Sequence, residues 1–245
     1  MSARRGIFIA PFDELSDPEL VTRLAVRAEE RGWDGFFVWD HIDYRAPVSA
    51  LADPWITLAA IAARTEKVQL GPLVTPLARR RMHQLARETA TLDRLSHGRL
   101  VLGVGLGSDR SGEFDPGRFG EEGDIKARAT LLDDGLQKLA AYWAGAFEPR
   151  PVRGTIPVWV AIRWPFRRRP MERAARYEGV FPIDQESPDA LAELIAAVGP
   201  GKEIVVTNPA DTDPAPWAKA GATWCLTGFG PQPTYAEVER AIDAL

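Results

Sequence analysis

Short apolar segments and helical segments alternate along the whole of this 245-residue chain. Eight of the apolar segments are rich in β-branched and aromatic residues, which is typical of buried strands. A helix after each strand requires crossover connections, and such connections join parallel strands. Eight such units predict a compact (βα)8 TIM barrel that covers residues 1–245 as a single domain. The predicted strands are GIFIA from Gly6, GFFVW from Gly35, VQLGPLV from Val68, LVLGVGL from Leu100, IPVWVAI from Ile156, GVFPI from Gly179, EIVVTN from Glu203 and TWCLTG from Thr223.

Proline and short polar residues mark the starts of the predicted helices. Ser16 to Glu19 has the pattern of a capping box, and Gly32 ends that helix. Asp53-Pro54 begins the second helix, and Thr234 to Glu237 caps the last. The alternative architecture, an open doubly wound sheet, usually has fewer strands, and its glycine-rich nucleotide loop is missing after the first strand. The remaining predicted helices are Arg81 to Leu95, Lys126 to Trp143, and those that start at Pro170, Ser187-Pro188 and Pro214.

Composition and charge exclude several classes of function. Hydrophobic residues make up 45% of the chain and charged residues 26%, as in ordinary globular proteins. The longest apolar run falls short of the ~18 residues that span a membrane. The net charge of −4 argues against a nucleic-acid partner. One cysteine and three histidines without zinc-site spacing predict no metal site. We therefore expect a cytoplasmic protein with a small-molecule substrate.

The segment Trp39-Asp40-His41 ends the second predicted strand. In a barrel of this kind the chemistry lies at the carboxyl ends of the strands. A histidine beside a carboxylate can exchange a proton near neutral pH, and an indole offers a flat face to a planar ligand. We predict that His41 is a proton donor or acceptor, that Asp40 orients it, and that Trp39 binds the ligand. The alternative is a loop His-Asp pair beside a core tryptophan.

A glycine-rich segment, GVGLGSDRSGEF from Gly103, ends the fourth predicted strand. Alternating glycines let a ligand ring approach the backbone closely. Gly105 and Gly107, followed by Ser108 and Asp109, are therefore predicted to form a ligand-facing turn. The alternative is that the glycines serve only packing inside the barrel, as is expected of Gly103.

A basic turn, RWPFRRRP, follows the fifth predicted strand. Free N–H groups at a helix start attract an anion, and guanidinium groups add paired donors. Arg163, Trp164 and Arg167 are the predicted members of a phosphate site, and a solvated basic face is the alternative.

Four further residues have chemically useful side chains: Thr75, His83, His97 and Cys225. Thr75 lies at the end of the third predicted strand, where prolines indicate an irregular backbone, and is a candidate for ligand contact. His83 lies early in the third helix. His97 lies at the opposite end of the barrel, so no role is expected for it. Cys225 is expected to be a small buried residue.

Four stretches of the chain, from about Gly6 to Pro182, resemble the luciferase-like superfamily of flavin-dependent oxidoreductases. They are LAVRAEERGWDGFFVWDH, DPWITLAAIAARTEKVQLGPLVTP, ARETATLDRLSHGRLVLGVGLGSD and ERAARYEGVFP. The resemblance implies a (βα)8 barrel with FMN or the deazaflavin coenzyme F-420 (F420) across its mouth. The cofactor ring would lie over the ends of strands two to four, with its phosphate near the helix after strand five. It also implies a cis peptide that does not precede proline, near Leu73.

The resemblance further implies hydride transfer to or from a small organic substrate, or its monooxygenation, by a homodimer. The pair Asp40-His41 favours F420 over FMN. Relatives carry an insertion before strand five that is largely missing here, between Trp143 and Ile156, and the basic turn lacks their Ser-Gly pair. A non-catalytic flavin-binding protein is therefore an alternative. A phosphate-sugar isomerase or aldolase is another, although no lysine falls at the carboxyl end of a predicted strand.

Overall fold

The sheet is a nearly closed barrel of parallel strands. The computed structural model describes residues 3–115, 117–185 and 187–245. Within them the hydrogen-bonded strand order is β3-β2-β1-β9-β8-β7-β6-β5-β4. A parallel bridge between Leu70 and Leu100 brings the two free edges together. All eight predicted strands are confirmed, the third being divided in two. The strands are β1 Arg4–Ile9, β2 Gly35–Val38, β3 Gln69–Pro72, β4 Thr75–Pro76, β5 Leu102–Gly105, β6 Val158–Arg163, β7 Gly179–Ile183, β8 Glu203–Pro209 and β9 Trp224–Gly228.

The third predicted strand is divided at the peptide between Leu73 and Val74, which is cis, as the resemblance implied. β3 pairs with β2, whereas β4 pairs with β5. The barrel closes at Gly71, where a Cβ atom would lie 1.9 Å from the carbonyl oxygen of Val101. Only glycine permits two backbones to approach so closely.

Replacing Gly71 by alanine is expected to destabilise the protein by about 2–3 kcal/mol, because the added methyl group forces the closing edges apart. Urea unfolding measures this change in the free energy of unfolding. Gly230→Ala is the matched control, since a Cβ atom at Gly230 meets nothing within 4 Å. Equal stability of the two variants would show that the edges separate without cost.

The helices cover the outside of the barrel. Asp17, and not Ser16, caps α1: its carboxylate accepts from the amide of Glu19 at 2.9 Å. The predicted capping box at Ser16 is wrong because residues Asp13–Ser16 form a 3-10 turn, in which Ser16 donates to the carbonyl of Asp13. The capping box at Thr234 is confirmed. The helices are α1 Pro18–Glu30, α2 Pro54–Arg64, α3 Met82–Leu95, α4 Ile125–Ala141, α5 Arg168–Ala174, α6 Leu191–Val198, α7 Ala215–Lys219 and α8 Tyr235–Asp243.

The interior of the barrel is a packed core. Because successive strand residues point to opposite faces, Phe8 points inward while its neighbours on β1 pack against the helices. Phe37, Trp159 and Trp224 fill the centre, with ring centroids 5.4–5.7 Å apart. A ligand can therefore reach the barrel only at its ends. Cys225 is buried as expected, and this burial raises the pKa of its thiol to about 11.

The connection from α4 to β6 is short. Residues Tyr142–Ala146 continue α4 as a π-helical turn, and residues 147–157 lead to β6. None of the described helices combines the length and the apolar character that crossing a membrane requires.

Candidate active site

Asp40 lies just after β2 and is 2% exposed. One of its carboxylate oxygens accepts from the hydroxyl of Thr75 at 2.6 Å and from the indole N–H of Trp55 at 3.2 Å. Arg79 donates to the other oxygen at 2.5 Å, and Arg80 donates to both at 2.9–3.0 Å. Thr75 is therefore engaged with Asp40, and the acceptor positions of this carboxylate are filled by neighbours other than His41.

The carboxylate beside His41 belongs to Glu113, in the loop between β5 and α4. Nδ1 of His41 lies 3.1 Å from Oε1 of Glu113. The ring N–H is not well aligned on that oxygen, so the contact is mainly electrostatic. The same oxygen accepts from the amide of Ile42 at 2.6 Å and from Arg79 at 2.7 Å. The second oxygen accepts from the hydroxyl of Ser111 at 3.2 Å.

These contacts correct one prediction about the site. Among the described residues, the Asp40 carboxylate makes no hydrogen bond or ion pair with the His41 ring. Direct orientation of the His41 ring by the Asp40 carboxylate is therefore not observed among the described residues, and Glu113 occupies that position. The His41 ring lies beside the Trp39 ring, with centroids 5.8 Å apart, whereas the Asp40 carboxylate lies against Arg79 and Arg80.

Glu113 is ionised despite being fully buried. Burial raises the pKa of its carboxyl group, but the adjacent His41 ring, the positive charge of Arg79 and the amide of Ile42 outweigh it. The resulting pKa lies below the ordinary value of 4.5. The site therefore holds a fixed negative charge against the His41 ring at neutral pH.

Aromatic rings surround the other sides of His41. The ring centroids of Phe12, Trp39 and Tyr44 lie 5.2–5.9 Å from that of the imidazole. The His41 side chain is 16% exposed. A partly enclosed imidazole against a buried carboxylate can exchange a proton with a molecule that enters from the exposed side.

Gly105, the last residue of β5, and Gly107 beyond it are closely packed. At Gly105 a Cβ atom would lie 2.8 Å from a methyl group of Val74. Gly107 has a φ of +80°, and a Cβ atom there would lie 2.3 Å from the ring of Phe114. Ser108 caps the following 3-10 turn by accepting from the amide of Arg110 at 3.2 Å. The structure gives these glycines a packing role, and their contact with a ligand stays a prediction.

A buried arginine of α4 holds this loop in place. The Arg128 side chain is fully buried and pairs with the carboxylate of the exposed Asp109. It also donates to the carbonyl of Leu106 at 3.1 Å. Its guanidinium carbon lies 4.2 Å from the centre of the Phe114 ring. Arg128 thereby fixes the segment from Leu106 to Phe114, which includes Glu113.

The basic turn lies at the same end of the barrel, after β6. Arg163 is exposed and pairs with Asp184, at the end of β7. Trp164 packs edge-on against Phe166, with ring centroids 5.0 Å apart. Arg167 is exposed and immediately precedes α5. A phosphate site here stays a prediction, and Asp184 is the present partner of Arg163.

Sequence reasoning did not single out Glu113, Arg79 or Arg80. Glu113 lies within the segment that was chosen for its glycines. The two arginines lie in the run Arg79-Arg80-Arg81, whose pattern resembles a solvated basic surface. The position of this run after a strand end was the available signal, since that is where barrel chemistry lies.

Solved structures of similar fold cover nearly the whole chain. An F420-dependent secondary alcohol dehydrogenase in complex with an F420-acetone adduct has a TM-score of 0.78 and 16% identity, covering 100% of this chain and 98% of that one. The coenzyme F420-dependent tetrahydromethanopterin reductase from Methanopyrus kandleri has a TM-score of 0.75 and 16% identity, covering 99% and 97%. At these identities the likeness shows the fold, a TIM barrel.

Sequence relatives are more similar. An F420-dependent glucose-6-phosphate dehydrogenase of Rhodococcus hoagii is 33% identical over 218 residues, which are 80% of this chain and 62% of that protein. This chain thus spans less than two thirds of that relative. The enzyme of the same name from Rhodococcus erythropolis is 29% identical, with 93% and 77% covered. The family model for luciferase-like monooxygenases matches residues 7–216. The chain belongs to the luciferase-like monooxygenase family.

Proposed function

We propose that this protein is an oxidoreductase that uses F420, or alternatively FMN, to transfer hydride to or from a small organic substrate. The observation that carries the proposal is the imidazole of His41 held against the buried carboxylate of Glu113 at the carboxyl end of the barrel. Such a pair provides the proton transfer that must accompany hydride transfer at an alcohol or carbonyl carbon. The F420-dependent relatives support F420 as the cofactor.

Apolar residues at the carboxyl end of the barrel support the binding of a flat ring there. Four partly buried residues, Trp39, Val74, Ala161 and Ile183, lie on the packed interior and form an apolar platform. Two buried polar atoms at this end, Nε1 of Trp39 and Oδ1 of Asn208, have no partner among the described residues. The pyrimidine edge of a flavin or deazaflavin offers both carbonyl groups and an N–H group, so it matches one donor and one acceptor.

The proposed chemistry assigns the proton to His41. When bound, the cofactor supplies or accepts the hydride. With Nδ1 against ionised Glu113, the imidazole is expected to carry its proton on Nδ1 and to leave Nε2 free. Nε2 then accepts a proton from a substrate hydroxyl during oxidation and returns it during reduction. The negative charge of Glu113 stabilises the imidazolium between these events.

Most of the remaining predicted site residues are assigned to binding of the cofactor ring. We propose that Trp39, Gly105 and Gly107 shape the ring pocket, with Ser108 and Asp109 in the adjoining turn. Thr75 and Asp40 act through the backbone that carries His41, because their polar atoms are already engaged with each other.

The proposed phosphate site is formed by Arg163, Trp164 and Arg167. A phosphate there would replace Asp184 as the partner of Arg163. Bidentate guanidinium–phosphate contacts are strong enough to make this exchange favourable.

Titration with F420 and with FMN, followed by fluorescence, tests the proposal. We expect F420 to bind in the micromolar range and at least ten times more tightly than FMN. Failure of both to bind below about 1 mM would contradict the proposal, since such affinity is too weak for a cofactor. Turnover assays with secondary alcohols and glucose 6-phosphate follow. Tight binding without turnover, with or without oxygen, would indicate a non-catalytic flavin-binding protein.

The expected assembly is a homodimer in the cytoplasm. Light scattering coupled to size exclusion measures the mass in solution, and a dimer gives twice the mass of the chain.

A further inference from the structure

We propose that Arg79 is a positioning residue that fixes the His41 imidazole. Its single guanidinium group binds both the Glu113 carboxylate, which touches the ring, and the backbone carbonyl of Asp40, the residue before His41. The proposal rests on the proton-transfer role proposed above for His41. The Arg79 side chain is 2% exposed and is bound to Asp40 and Glu113, so its proposed role is to hold and not to react.

Arg79 holds the residue before His41 directly, and the residue after it through Glu113. Nη2 of Arg79 donates to the carbonyl oxygen of Asp40, the residue before His41, at 3.1 Å. Nη1 donates at 2.7 Å to Oε1 of Glu113. That oxygen accepts from the amide of Ile42, the residue after His41, at 2.6 Å, and lies 3.1 Å from the His41 ring. One guanidinium and one carboxylate therefore fix the backbone before and after His41 as well as the ring.

The negative charges of the buried Asp40 and Glu113 carboxylates are compensated mainly by Arg79, which pairs with both. Asp40 and Glu113 are both buried, and burying two carboxylates without cations is strongly unfavourable. Arg79, whose side chain is 2% exposed, pairs with both carboxylates, whereas Arg80 pairs with Asp40 alone of the two. Without Arg79, the His41 imidazole is the only described ionisable group left in contact with Glu113.

A lysine at this position cannot make the same contacts. The guanidinium presents donors in a planar fork, and here its two terminal nitrogens reach separate acceptors. A single ammonium nitrogen keeps the charge but cannot bridge the same acceptors in this planar geometry. Arg79→Lys therefore separates position from charge, and Arg79→Met removes both.

The first measurement is NMR of the histidine rings without any cofactor. The chain has only three histidines, and the His41 signals are identified by their absence in His41→Asn. We expect the His41 signals to shift and broaden in Arg79→Lys and Arg79→Met at neutral pH, while those of His97 stay in place. Arg81→Met is the matched control, because Arg81 is exposed and lies only two residues away. Unchanged His41 signals in folded Arg79→Met would overturn the proposal.

The second measurement is the pH dependence of kcat. We expect kcat to fall about 10- to 100-fold in both variants, with the cofactor Kd within threefold of the original. Among the described side chains, His41 and Arg79 contact Glu113 directly, and Glu121 lies close enough for charge repulsion with it. Arg80 and the buried Asp40 lie next to Arg79, where Arg80 binds Asp40. Because Arg79 lowers the pKa of Glu113, its loss raises that pKa and moves the acid limb of the kcat profile to higher pH in Arg79→Met.

The outcomes separate this proposal from the proposed function. The positioning role would be overturned if the Arg79 variants lost activity only because of a lower melting temperature or weaker cofactor binding. In that case the acid limb of the kcat profile of Arg79→Met would stay at its original pH. If Arg79→Met fails to fold, the His41 signals of Arg79→Lys provide the test. Unchanged signals in that variant would overturn the proposal. If neither F420 nor FMN binds, the proposed function fails, and the NMR comparison still decides whether Arg79 holds His41.

Discussion

Replacing His41 by asparagine is expected to lower kcat by about 10²- to 10⁴-fold, the usual contribution of a general acid or base. Asparagine retains a polar side chain of similar reach but cannot exchange a proton near neutral pH. Because His41 lies at the side of the proposed ring pocket, the cofactor Kd is expected to change by less than about tenfold, or 1.4 kcal/mol. Steady-state kinetics and fluorescence titration with F420 measure the two effects.

The control for this variant is His83→Asn. His83 is exposed near the start of α3, outside the Glu113 cluster, so its replacement is expected to leave kcat unchanged. If His41→Asn turned over at the original rate with the same cofactor affinity, His41 would have no part in the mechanism. The proposed oxidoreductase function would then need another proton-transfer group.

Replacing Asp40 by alanine is expected to destabilise the fold by about 3–5 kcal/mol, because it leaves buried cations without their partner. Arg79 and Arg80 both bind the Asp40 carboxylate, and Thr75 and Trp55 also lose their acceptor. Urea unfolding followed by circular dichroism measures the difference in the free energy of unfolding.

An exposed ion pair provides the comparison for Asp40→Ala. Glu172 pairs with Arg168 one turn earlier on α5, and both side chains are exposed. Glu172→Ala is expected to cost less than about 0.5 kcal/mol, as exposed helix pairs do. A cost below 1 kcal/mol for Asp40→Ala would mean that water enters the cluster and solvates the two arginines.

The barrel could be predicted from the sequence because its strands and helices differ in the spacing of their apolar residues. Buried strands such as GIFIA and IPVWVAI have continuous apolar runs, and proline or aspartate marks most helix starts. The prolines of the third strand indicate an irregular backbone, but the pairing of β3 with β2 and of β4 with β5 could not be predicted from the pattern alone. The closure of the barrel at Gly71 could not be predicted either, because it is a contact between segments distant in the sequence.

The site was predicted only in part, for a related reason. The place of His41 at a strand end predicts its role, whereas the adjacent Asp40, the predicted carboxylate partner, is not the one that contacts its ring. In the structure Asp40 binds Arg79 and Arg80, while Glu113 reaches His41 from another loop. A pattern of neighbours in sequence does not show which loops meet across the barrel end.

The burial of Arg128 has a practical meaning for engineering this barrel. Loop exchange between homologues is a common way to transfer substrate preference, and the loop after β5 is an obvious segment to exchange because it carries Glu113. Its fold depends on a side chain outside it, since Arg128 on α4 binds the Leu106 carbonyl and the Asp109 carboxylate. A donor loop must therefore be transplanted together with the first turn of the helix that follows it.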